Sequence, residues 1–119
     1  MQDRFKFRAW DNQERYYIPD EETNFCHGMM EYWLDKEDCP LVFEQCTGMK
    51  DKNGKLIYEG DIVEAYDYTI EHSQVVWDKG CYVLKSKDVA VYEHLSNYEK
   101  ECEIIGNIHE NSELLEDNK

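Results

Sequence analysis

No stretch of this chain approaches the roughly 18 consecutive apolar residues of a membrane-spanning helix. The opening Met1-Gln2-Asp3-Arg4-Phe5 also lacks the apolar segment of a secretory signal. Basic residues are scarce: 13 Lys and Arg stand against 27 Asp and Glu, a formal charge of −14 with histidine neutral. Such an excess repels phosphate at long range and argues against general binding to nucleic acid or an anionic membrane. Cysteine pairs at CxxC spacing are missing, and the five cysteines (Cys26, Cys39, Cys46, Cys81, Cys102) are odd in number. Free thiols in a reducing compartment, some buried as small apolar side chains, fit better than a disulfide framework. A cytoplasmic protein with no membrane partner is expected. Internal repeats and low-complexity linkers are absent, and 119 residues leave room for one domain over 1–119.

What is present favours strands. The apolar fraction is 41%, and the three Trp, nine Tyr and four Phe suit pleated surfaces. From Arg4 to Trp10 the chain alternates, with Phe5, Phe7 and Ala9 on one face and Arg4, Lys6, Arg8 and Trp10 on the other, the mark of a half-buried strand. A turn at Asp11-Asn12 and a return strand at Arg15–Ile18 complete an N-terminal hairpin over 1–19. Residues 20–40 are polar at first, with a short strand or helical turn over Met29–Leu34. Leu41–Thr47 reads as a strand. Next comes a segment rich in turn residues (Gly48, Asn53, Gly54, Gly60, Asp61), in which Asn53-Gly54 is a strong turn signal. Strands at Ile62–Tyr66, Gln74–Trp77 and Cys81–Lys85 form a meander, with a further strand at Val89–Tyr92. Glu103–His109 is another strand, whose Gly106-Asn107 marks a bulge or close backbone approach. Asn111 is placed to cap a helical turn over Ser112–Glu116, and 117–119 should fray. The expected fold is mainly β: a small bent-sheet or partial-barrel (SH3-barrel-like) core over 41–109, the N-terminal hairpin and a short C-terminal helical turn.

Motifs for chemistry fail on spacing. A phosphate loop needs G-x-x-x-x-G-K-[ST], but five residues separate Gly48 from Gly54, and Leu56 follows Lys55. Read as a calcium loop, Asp51-Lys52-Asn53-Gly54 brings its glycine two positions early and puts Ile62 where a bidentate glutamate belongs. The histidines (His27, His72, His94, His109) and cysteines show no zinc spacing, and Cys46 has no evident base. No catalytic residue, metal or cofactor is expected. The cations are more suggestive. Arg4, Lys6 and Arg8 share a strand face, and Lys50, Lys52 and Lys55 share the central loop. If strand and loop meet, they form a basic binding patch with Trp10 and Tyr58 available for stacking. The structural alternative pairs these cations with the surplus carboxylates, Arg8 acting as a fork on a carboxylate or a backbone carbonyl.

Three blocks carry a family resemblance. Phe7-Arg8-Ala9-Trp10-Asp11 resembles the opening signature of the YopX family, small proteins encoded by bacteriophages and prophages. Thr47 to Lys55 with Ile57-Tyr58-Glu59-Gly60-Asp61 is similar to its central block. Ile104 to Asn111 with Glu113-Leu114-Leu115 is similar to its ending, although His109 stands where a tyrosine is expected and Ser112 where a proline is common. The resemblance implies a β-rich fold, self-association and a phage source, and it carries over no activity. The leading expectation is a non-enzymatic homo-oligomeric interaction module, motivated also by the aromatic excess and by strand edges that look exposed. The alternatives are a nucleic-acid-associated accessory protein using the basic patch, and an acidic DNA mimic that occupies a host DNA-binding protein. The partner in the first reading is a further copy of the chain, with a host or phage protein as an additional partner; in the last it is a host protein.

Overall fold

Alternating apolar and polar residues build two antiparallel sheets in the computed structural model, which describes residues 6–18, 40–65, 70–86 and 93–116. In the first sheet β1 (Phe7–Asp11) turns into β2 (Tyr16–Tyr17), and Asp11 Oδ1 accepts the N–H groups of Gln13 and Glu14 to hold the turn. β3 (Leu41–Lys50) lies along the other side of β1, placing Arg8 opposite Glu44 and Trp10 opposite Val42. β4 (Leu56–Tyr58) pairs with the far edge of β3, giving the order β2-β1-β3-β4. β3 is longer than predicted. It continues past Thr47 to Lys50 through Gly48 (φ 83°), and its register with β4 shifts between Cys46 and Lys50. β1 also departs from the half-buried strand expected. Ala9 on one face and Trp10 on the other are both almost fully buried, so neither face is open to solvent.

The second sheet contains the predicted meander. β5 (Asp61–Ala65), β6 (Ile70–Asp78) and β7 (Cys81–Lys85) follow in turn, with β8 (Glu93–His94) and β9 (Glu103–Asn107) at the edges, in the order β8-β7-β6-β5-β9. A 3-10 helix at Leu95–Tyr98 links β8 to β9. Ile62 pairs with Gly106 but Val63 pairs with Ile104, so Ile105 is the extra residue of the expected bulge. Gly106 is also a close approach: a Cβ there would lie 2.6 Å from Asn111 Oδ1. The one α-helix of the described residues, α1 (Glu113–Glu116), is shorter than predicted, and Asn111 does not cap it as expected. Its Oδ1 turns back to accept the Asn107 N–H at 3.1 Å. His72 Nδ1 and the Leu114 carbonyl, 2.9 Å apart, tie α1 to β6. Expectations for 19–39, Val89–Tyr92, Arg4 and 117–119 lie outside the described residues.

The core sits between the sheets. Ile57 of β4 joins Val63, Ala65, Val75, Leu84, Leu95 and Cys102, with Met49, Tyr82 and Ile104 around them. Cys46 and Cys102 are buried free thiols, as expected of small apolar fillers, and burial, helped by Asp51, pushes the Cys102 thiol up to about 11. The Asn53-Gly54 turn closes a three-residue loop in which Gly54 takes φ 81° and its N–H bonds the Asp51 carbonyl. The organiser of this loop is Asp51, 2% exposed. Its Oδ1 accepts the N–H groups of Asn53 and Lys55, and its Oδ2 accepts that of Ile104 in β9. One carboxylate therefore shapes the turn and closes part of the edge of the second sheet. Asp51→Ala should lower the unfolding free energy by about 2–3 kcal/mol, since the Ile104 N–H loses its acceptor. Lys52→Ala, on the exposed tip, should change it by under about 0.5 kcal/mol. Urea titrations compare the two.

Candidate functional site

The register of β1 on β3 brings Arg8 beside Glu44, and the tight turn from β4 to β5 adds Asp61. Arg8 Nε donates to Glu44 Oε1 and Nη2 to Asp61 Oδ1, each at 2.8 Å, with Nη2 also 3.4 Å from the Glu59 carbonyl. This is the fork anticipated as the structural alternative, bridging both sheets. Asp61 Oδ2 accepts the Tyr58 N–H at 2.8 Å and locks the turn. Gly60 has no substitute in that turn. Its φ is +94°, and a Cβ would lie 2.6 Å from Glu44 Oε2.

Aromatic rings and a histidine enclose the ion pairs. The Arg8 guanidinium lies 4.4 Å from the Tyr17 ring centroid and 4.7 Å from that of Tyr58. Tyr17 donates its hydroxyl to Glu44 Oε1 at 3.0 Å, and His109 donates from Nε2 to Glu44 Oε2 at 2.7 Å. The His109 ring stacks on Trp10 at 4.7 Å, nearly parallel, while Tyr17 meets Trp10 edge-on at 5.0 Å. Arg15, held at φ 66°, donates to Asn12 Oδ1 and to the His109 carbonyl, and its guanidinium lies 5.1 Å from the centre of Trp10.

Burial sets the electrostatics. It opposes the charge on Arg8, but Asp61 and Glu44 more than compensate, so the guanidinium is held above its ordinary value. Burial likewise pushes the Asp61 carboxyl upward against the pull of Arg8 and the Tyr58 N–H. Among the described residues, no buried side-chain N or O atom lacks a partner. No three His, Cys, Asp or Glu side chains there converge as metal ligands. A polar cleft of about 420 Å³ opens beside Arg8 and Tyr17, lined across from them by Lys55, Asn107, Glu110 and Asn111. The site is a saturated junction of charges and rings, with its donors and acceptors turned toward one another.

The anticipated basic patch is only partly assembled. Arg8 and Lys55 line one cleft, but Arg8 is occupied by two carboxylates. Trp10 is 1% exposed and unavailable for stacking on a ligand, and Tyr58 is half-buried beneath Arg8. Lys6, Lys50, Lys52 and Lys55 are exposed, Lys52 lying 3.4 Å from Glu103. The turn residues Gly48, Asn53, Gly54, Gly60, Asp61, Gly106 and Asn107 all shape loops or bulges; Asn107 Oδ1 accepts the N–H groups of His109 and Glu110. Sequence reasoning missed Glu44, Tyr17, Arg15, Asp51 and His109. Glu44 left one trace, as the lone acidic residue in the apolar run Leu41–Cys46. His109 was noted as a departure from tyrosine and as one of four histidines without zinc spacing, and its imidazole N–H fills a donor role that a phenolic O–H shares.

Two measurements follow from this geometry. Arg8→Met leaves two buried carboxylates without their cation and should cost about 3–5 kcal/mol in urea unfolding. Arg8→Lys should recover only part, because one ammonium cannot span both carboxylates as a fork does. The Tyr17 hydroxyl is held above its ordinary value by burial first, with Glu44 adding and Arg8 opposing. Such a raised group favours the fold below its unfolded value and loses that advantage as pH rises, because the unfolded phenol ionises first. Unfolding free energy should therefore fall above about pH 10, and less steeply in Tyr17→Phe than in wild type.

The residues that meet at this junction lie within the stretch that matches known proteins. The YopX protein family matches residues 6–116, nearly the whole chain. The crystal structure of protein EF1440 from Enterococcus faecalis is similar, with 29% identity and a TM-score of 0.60 over 93% of this chain and 97% of that one. No curated protein sequence matches. With Arg8, the Tyr58–Asp61 turn and the segment after β9 all converging within that match, the chain belongs to the YopX family.

Proposed function

We propose that this chain is a non-enzymatic interaction module that assembles with copies of itself. The observation that supports this reading most is the saturation of the junction. The polar residues brought together from both sheets spend their hydrogen-bonding capacity on each other, which suits a rigid body rather than a reaction centre. Catalysis needs groups poised toward a substrate, and Glu44 and Asp61 instead point at Arg8, His109 and backbone N–H groups.

The edges do not offer the route to assembly that the sequence suggests. Among the described residues, β2 and β8 have two residues each and β4 has three. On β9, the Ile104 and Asn107 N–H groups are taken by Asp51 and Asn111. Short or occupied edges discourage strand addition, so association through side-chain surfaces fits the fold better. Large apolar side chains are exposed at Tyr16, Val42 and Trp77. Sedimentation velocity across the micromolar range should show a mass above the 14.3 kDa protomer, rising with concentration. A protomer mass at every concentration would remove self-assembly.

A further inference from the structure

We infer that Cys81 and His94 form a binding site for a thiophilic divalent ion of the Zn²⁺ class. β7 and β8 pair with Val83 opposite His94, and Cys81 lies two residues before Val83, so thiol and imidazole share one face of the sheet. That face is the one turned away from the core residues Val75 and Leu84. Cys81 Sγ and His94 Nδ1 stand 3.5 Å apart. A tetrahedral ion holds a thiolate at about 2.3 Å and an imidazole nitrogen at about 2.0 Å, which sets those two donors about 3.5 Å from each other. The pair thus already has the spacing of two ligands on one ion. Their separation of 13 residues matches no zinc spacing along the chain, and only strand pairing brings them together. Cys81 is half-buried and His94 exposed, so an ion reaches both from solvent.

The other described thiols and imidazoles are committed elsewhere. Cys46 and Cys102 are buried, His72 meets the Leu114 carbonyl and His109 meets Glu44. The second contact of Cys81 Sγ is the Asp78 carbonyl, also at 3.5 Å. An entering ion displaces the thiol proton to water, and the thiolate and the Nδ1 lone pair then bind it. The imidazole keeps its N–H on Nε2, toward solvent. Asp78 stands opposite Cys81 in the ladder and shares its face. It is not a third ligand as placed, so water completes the coordination. Its carboxylate adds to the attraction of a chain of formal charge −14 for a dication. The same charge repels acidic disulfides and other anionic electrophiles, which favours ion capture over thiol exchange. Sulfur with imidazole selects Zn²⁺ over Mg²⁺ or Ca²⁺, which prefer oxygen. The site needs one copy of the chain and does not depend on self-assembly.

Cobalt(II) titration of the full chain, reduced with a phosphine, tests the assignment, because a thiolate bound to Co²⁺ gives a charge-transfer absorption that carboxylates do not. Wild type should show that band, saturating at one equivalent, with Zn²⁺ displacing the ion and excess Mg²⁺ leaving it in place. Cys81→Ser should abolish the band, and His94→Ala should weaken Co²⁺ binding at least about tenfold. Urea midpoints of both variants without metal should stay near wild type, since both side chains reach solvent. No charge-transfer band in wild type would overturn the site. A band that survives Cys81→Ser would assign the ion to other thiols and overturn it as well. Displacement by Mg²⁺ would reduce the binding to general attraction by surface carboxylates.

Discussion

A carboxylate withdrawn from water has to be met by donors, and that requirement at Glu44 organises the molecule. Its oxygens take Arg8 from β1, Tyr17 from β2 and His109 from the segment after β9. Arg8 then reaches Asp61, Asp61 fixes the Tyr58–Asp61 turn, and Gly60 is glycine partly because Glu44 occupies the space a Cβ would need. The three blocks of the YopX resemblance are thus arranged around a residue that belongs to none of them. The first and last blocks supply Arg8 and His109 to it, the central block supplies Asp61 to Arg8, and Tyr17 comes from outside all three.

Local periodicity made the strands legible. β1, the β5–β6–β7 meander, the Asn53-Gly54 turn and the bulge before Gly106 all follow from residue spacing and turn chemistry over a few positions. What stayed hidden depends on pairing across long separations. A charged residue at an alternating position has the same pattern whether it faces water or a buried partner, so spacing alone left Arg8 between a basic binding patch and a fork on a carboxylate. Glu44, His109 and Arg15 gain their roles only once both sheets are assembled. Asn111 was legible as a capping type, but the close approach of Gly106 gives its side chain a nearer N–H to bond. The strand edges that look exposed in the sequence are, among the described residues, short at β2, β4 and β8 and partly occupied at β9 by Asp51 and Asn111.

Polarity in this fold is partly inverted relative to a pocket that performs chemistry. Three carboxylates, Glu44, Asp51 and Asp61, lie inside and are met by donors, while the largest ring left open to solvent among the described residues stands at a hairpin tip. Saturated buried polar clusters rigidify a core and fix the orientation of the elements that supply them. The cleft beside Arg8 has the same character, since the guanidinium at its wall is already bound to two carboxylates. The exposed lysines of the β3–β4 loop remain outside this economy, with Lys52 in only a solvent-facing pair with Glu103.

Arg15 clasps the carbonyl of a residue 94 positions away. Closing so distant a pair demands that most of the intervening polymer be arranged first, and topologies dominated by such separations reach their final state slowly. During that interval Glu44 lacks its full set of donors and the rings that later shelter it lie open. The newly made chain therefore passes through a phase in which its most demanding charge is solvated and its aromatics are unprotected, and surplus negative charge keeps neighbouring molecules apart until the clasp shuts.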